Sequence, residues 1–126
     1  MAKIMIVDDA SFMRSSLKFI VEKNGHTVVG AAADGKEAIV LYPKLAPDIV
    51  TLDILMREMD GITTLKALLK QDPNAKVIMV TAIGQESKQE EAKKLGASGY
   101  IRKPFKPEDI TEEIDKVLKD SDKGGE

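Results

Sequence analysis

Three uninterrupted apolar runs, each ending on a polar residue, constrain this chain more than any other feature. They are Ile4-Met5-Ile6-Val7 before Asp8-Asp9, Ile49-Val50-Thr51-Leu52 before Asp53, and Val77-Ile78-Met79-Val80 before Thr81. Runs without alternation belong to strands covered on both faces, as in parallel sheets flanked by helices. The segments between them have helical spacing and short connections, so strand and helix alternate and the fold class is α/β. In an open parallel sheet the carboxyl ends of the strands share one rim, where ligands bind at the point of strand-order reversal. Asp8, Asp9, Asp53, Thr81 and, after a fifth strand, Lys103 therefore belong to one pocket.

The spacing predicts strands over 3–7, 27–33, 49–52, 76–80 and 98–102, the second less continuously apolar and so an edge. Helices are predicted over 11–24, 36–45 and 62–71. A fourth helix opens at the capping-box spacing Ser87-Lys88-Gln89-Glu90 and closes at Gly96. It offers little apolar surface, chiefly Ala92 and Leu95, and is the most weakly anchored. Pro107 fits the first turn of the last helix, which turns Ile110, Ile114, Val117 and Leu118 inward. One domain fills 1–120, and the polar stretch 121–126 reads as a flexible tail. No second domain, linker or repeat is visible.

Composition excludes several chemistries. Without cysteine there are no disulfides or thiolate metal sites, and the single histidine, His26, argues against a zinc centre or a serine-type triad. A formal charge of -2 over 126 residues, with both signs interspersed, gives no reason to expect nucleic acid or an anionic membrane as partner. No h-region or bilayer-length apolar stretch is present, so the chain reads as cytoplasmic.

Singly, the rim residues have ordinary explanations: Asp8 or Asp9 a helix cap, Asp53 a strand-end acid, Thr81 a β-branched strand residue, Lys103 a solvated lysine. Jointly they do not. Three acids in one pocket need a compensating cation. Mg2+, a hard ion bound by one or two carboxylates plus phosphate oxygens, suits them. A lysine and a threonine can hold further phosphoryl oxygens, and a carboxylate can itself be the nucleophile.

Val7-Asp8-Asp9-Ala10, the segment Asp53 to Gly61, Thr81-Ala82 and Lys103-Pro104-Phe105 resemble the receiver domain of two-component response regulators. Ser11-Phe12-Met13-Arg14 and Gly84-Gln85 resemble its stand-alone chemotaxis form. The resemblance implies a flavodoxin-like five-stranded sheet in the order 2-1-3-4-5 with five helices, and a cis Lys103-Pro104 bond. It implies that Asp53 takes a phosphoryl group from a sensor histidine kinase (CheA-like) and that Asp9, Asp53 and the Leu55 carbonyl bind Mg2+, with Asp8 acting through water. Lys103 pairs with the phosphoryl group, Thr81 swings toward it, and Tyr100 turns inward as an aromatic switch.

A face made of the fourth helix, fifth strand and fifth helix then meets a downstream motor or adaptor protein, the regulator itself being a monomer and not an enzyme acting on external substrates. Arg57 stands where the family pattern has proline. A solvated side chain, or pairing with Glu58, Asp60 or the phosphoryl group, is what the sequence offers for it. Leu55 and Ile83, apolar at positions that tune hydrolysis in the family, imply a long-lived phosphoaspartate.

Three other readings compete. An Mg2+-dependent aspartyl phosphatase usually carries its two acids two residues apart after the first strand, whereas Asp8 and Asp9 are adjacent. A flavin-binding protein needs a hydroxyl- and glycine-rich phosphate loop there. A phosphorelay intermediate, passing the group on to a histidine phosphotransfer protein, shares every motif.

Overall fold

Successive side chains along β1 (Lys3–Val7) point to opposite faces, and both faces are dry. Ile4 and Ile6 enter one apolar cluster, Met5 and Val7 the other. The computed structural model describes residues 2–124, the side chains of 121–124 excepted. After β1 come α1 (Ser11–Lys23), β2 (Thr27–Ala32), α2 (Gly35–Leu45), β3 (Ile49–Asp53) and α3 (Gly61–Gln71). Then follow β4 (Val77–Thr81), α4 (Glu86–Leu95), β5 (Gly99–Arg102) and α5 (Pro107–Gly124).

All strand pairs are parallel, in the order β2-β1-β3-β4-β5. This is the flavodoxin-like order that the resemblance implied, and β2 is an edge as expected. Leu17 and Val21 of α1 and Ile110, Ile114 and Val117 of α5 cover one face of the sheet. Residues of α2, α3 and α4, among them Ala38, Leu65, Leu68 and Ala92, cover the other. Strand order reverses between β1 and β3, so the crevice for a ligand opens beyond Val7 and Asp53.

Local chemistry sets the helix boundaries. Asp34 caps α2 by accepting from the Glu37 N–H at 2.8 Å, and Asp60 caps α3 by accepting from Thr63 N–H at 2.8 Å. Both helices begin one residue before the spacing predicted. Pro43 sits inside α2 and removes the bond that would end on the Ile39 carbonyl. That carbonyl instead accepts from Gln71 Nε2 of α3 at 3.1 Å, which gives it a partner and joins the helix to its neighbour.

The capping box expected at Ser87 does not form. The turn from Ala82 closes when Gln85 N–H donates to the Ala82 carbonyl at 3.1 Å, so α4 starts at Glu86 and Ser87 lies inside it. Of the two apolar residues expected to anchor α4, Ala92 is fully buried and Leu95 packs against the core partly buried. α5 continues to Gly124, because nothing in Ser121-Asp122-Lys123 breaks a helix; residues 125–126 of the expected tail lie outside the described residues. Among the described residues no helix is long and apolar enough to cross a membrane.

Candidate functional site

Asp8 follows β1 directly and its carboxylate folds back, Oδ1 accepting from the Ala10 N–H at 2.9 Å. Neither acid caps α1, whose N-cap is Ala10. Asp53 ends the adjacent β3, in register to continue the same rim. Carboxylate oxygens of Asp8, Asp9 and Asp53 lie within 4.8 Å of one another. Asp8 and Asp53 are both buried, at 1% and 5% exposure. Lys103, just past β5, reaches over them with Nζ 3.5 Å from Asp53 and 3.7 Å from Asp8. A cleft of about 530 Å3 opens above this group, lined also by Leu55, Met56, Arg57, Ala82 and Gln85.

Lys103 is held in place from below. Its N–H donates to the Thr81 carbonyl at 2.6 Å, and its peptide bond to Pro104 is cis, as the resemblance implied. At the other wall, Gly61 packs so closely under the acceptor strand that a Cβ there would overlap the Asp53 carbonyl oxygen and stand 2.6 Å from Ile54 Cα. Gly61 N–H donates to the Ile54 carbonyl at 2.7 Å. The glycine thus ties the start of α3 to the loop that follows Asp53.

The electrostatics are those of an undercompensated acidic site. Burial first, and then the neighbouring Asp8 charge, push the Asp53 carboxyl up to about 6, against the opposing pull of the Lys103 ammonium and the Leu55 N–H. Asp8 Oδ2 is buried without a hydrogen-bond partner, since Lys103 Nζ at 3.7 Å attracts it but is out of bonding reach. An all-oxygen donor set with an unpartnered buried carboxylate oxygen fits a hard divalent cation such as Mg2+.

Not every residue singled out in the sequence faces the cleft. Thr81 is buried, and its hydroxyl makes a long contact of 3.4 Å with Gln89 Oε1 of α4. Tyr100 packs against the α2–α4 side of the core with its hydroxyl buried and unpartnered. His26 accepts from Ala2 N–H at 3.0 Å, a structural role at the start of β1 and β2.

Two features were not anticipated. Arg57 is solvated as expected, its side chain 85% exposed, but it also meets Asp9, an acid not foreseen as its partner: its backbone N–H and Nε lie 3.3 and 3.4 Å from Asp9 Oδ2. Phe12 and Ile83, each 78% exposed, flank an apolar depression with Phe105 that shares Ala82 and Lys103 with the acidic cleft. The sequence signal for Phe12 was its position off the Met13-Leu17-Ile20-Val21 stripe. For the Arg57 contact there was none.

Residues 4–115 match the family described as response regulator receiver domain. The chemotaxis protein CheY of Thermotoga maritima is 50% identical over 117 residues, covering 93% of this chain and 98% of the relative. The CheX-CheY-BeF3-Mg complex of Borrelia burgdorferi contains a chain of 37% identity that superposes with a TM-score of 0.88, covering 92% of this chain and 88% of that one. A response regulator receiver domain protein of Clostridium thermocellum, 28% identical, superposes with a TM-score of 0.91 over 97% and 98% of the two chains.

Proposed function

The chain belongs to the response regulator receiver domain family, and from that membership we propose that it is a chemotaxis-type regulator that accepts a phosphoryl group on Asp53. The observation that carries this reading is the convergence of three carboxylates and one ammonium at the switch point of the sheet. With its carboxyl at about 6, Asp53 is largely ionised at neutral pH despite its burial.

In the reaction, an Asp53 carboxylate oxygen bonds to phosphorus as the P–N bond of a phosphohistidine breaks and the imidazole leaves with the electron pair. An Mg2+ ion held at this acidic cluster would supply charge neutralisation for the transfer. Asp9, Asp53 and the Leu55 carbonyl would hold that ion, with Asp8 acting through water. Lys103, already 3.5 Å from Asp53, takes a phosphoryl oxygen as a point cation. Thr81 leaves its long contact with Gln89 to donate to another, which loosens α4 from β4. The group transferred is a signal and is not turned over onto an external substrate.

The exposed Phe12 and Ile83 beside Lys103 give the phosphodonor an apolar landing surface within reach of the acceptor. Readout by the downstream partner belongs to α4, β5 and α5, because α4 is thinly anchored and the Gly84 hinge adopts φ 93° with open space around it. The shift is one of populations, since the phosphoryl group has contacts in only one arrangement.

The test is incubation with Mg2+ and acetyl phosphate followed by mapping of the added mass. One phosphoryl group on Asp53, absent in Asp53→Ala, is expected. No uptake by the intact protein overturns the assignment. Hydrogen exchange that is unchanged over 82–105 on phosphorylation overturns the placement of the readout face.

A further inference from the structure

The acidic site carries a second cation besides Lys103. Arg57 places two donors, its backbone N–H at 3.3 Å and its Nε at 3.4 Å, on the same Asp9 oxygen, Oδ2. Asp9 is the most accessible of the three acids, its side chain 24% exposed, and the guanidinium approaches it from solvent with 85% of its side chain exposed. A proline, which the family pattern has at this place, lacks both the N–H and the guanidinium and could make neither contact. The contact therefore arises from the residue that departs from the pattern.

We propose that Arg57 is an internal competitor for the divalent cation: its guanidinium neutralises Asp9 in the metal-free protein and must be displaced before Mg2+ is bound. The inference rests on the receiver reading of the site. The physical ground is that both cations draw on one carboxylate. A divalent ion beside Asp9 needs lone pairs now directed at Arg57, and its charge repels the guanidinium. Because the guanidinium is exposed and its distance to Asp9 is long, displacement is easy. The effect is a modest lowering of metal affinity that fades with salt. Arg57 thus tunes the Mg2+ concentration at which the site becomes competent, and it does so without touching the acceptor carboxylate.

The test is Mg2+ titration of the unphosphorylated protein at low ionic strength, by calorimetry and by amide chemical shifts. Arg57→Met keeps the backbone N–H and removes only the guanidinium; it is expected to tighten Mg2+ binding by about two- to five-fold. The gain is expected to shrink when salt is raised to about 0.5 M. Arg57→Lys, which leaves a cation at the same position, is expected to stay within about two-fold of wild type. Unchanged or weaker binding in Arg57→Met, or equal tightening in Arg57→Lys, overturns the competitor role and leaves the receiver reading intact. Failure of both wild type and Arg57→Met to bind Mg2+ overturns the two together.

Discussion

Lys103 Nζ stands 3.5 Å from Asp53 and 3.7 Å from Asp8, so a single ammonium serves two buried carboxylates. Lys103→Met leaves both uncompensated. In metal-free buffer at pH 7 the variant is expected to lose about 1–3 kcal/mol in urea unfolding, below the usual loss for a fully buried pair because the lysine is partly exposed. Mg2+ is expected to restore part of the deficit, since the ion takes over the neutralising role. Phosphoryl uptake from acetyl phosphate falls with or without that recovery.

Asp53→Asn is expected to raise stability at pH 7 without metal by about 1–3 kcal/mol, as it removes a charge held in the dry rim beside Asp8. The sign reverses the usual behaviour of carboxylates. The folded-state value, about 6, lies above the ordinary 3.8, so the wild-type protein gains stability as pH falls between them. The advantage of the asparagine variant should therefore narrow from pH 7 to pH 4. A constant difference in thermal midpoint across that range contradicts the prediction.

Asp60 shows the opposite linkage. Its bond from the Thr63 N–H holds the carboxyl below its ordinary value of 3.8. Asp60→Ala is expected to cost about 1 kcal/mol at neutral pH, with Asp60→Asn close to wild type. The wild-type advantage over alanine is present above pH 3.8 and is lost as pH falls through the lower folded value. Denaturant titrations at pH 7 and pH 3 compare the two.

Gly61→Ala tests the wall beneath the acceptor. Its methyl would overlap backbone atoms of Asp53 and Ile54. A loss of about 2 kcal/mol or more is expected, since backbone must shift. Phosphoryl uptake should fall further than stability explains, because the displaced segment carries Asp53 and Leu55. Single-turnover labelling at a temperature where the variant is fully folded separates the two effects.

Leu55 is exposed on the wall of the acidic cleft and Ile83 in the adjoining depression, and neither carries a group able to orient water. Leu55→Asn is expected to shorten the life of phosphorylated Asp53 several-fold with little change in uptake. Loss of phosphate from both proteins, followed in chelator-free buffer containing Mg2+ after donor removal, gives the comparison. An unchanged rate counts against a role for this position.

What was legible in the sequence followed from geometry that any parallel sheet imposes. Asp8, Asp53 and Lys103 end or follow buried strands, so their convergence needed only the right strand order, and that order came from the resemblance. The weak hold on α4 was legible because its apolar anchorage, Ala92 and Leu95, is a matter of composition. Side-chain direction was less accessible. Thr81 could face cleft or helix from the same backbone, and Gln89 decided it. Ser87 matched a capping pattern, yet the turn closed by Gln85 starts the helix at Glu86, one residue earlier. The Arg57–Asp9 contact joins residues 48 positions apart through an exposed loop, where neither periodicity nor strand register speaks.

Ala92 is the one side chain that α4 sinks fully into the protein, a single methyl group as keel for a ten-residue helix. Burial of that much apolar surface is worth about 1 kcal/mol. Leu95, partly buried against the same core, adds to it, and the rest of the helix surface is polar. The helix is thus moored lightly enough that a partner can hold it in a new berth, and a change at Thr81 needs only to tilt the choice between berths.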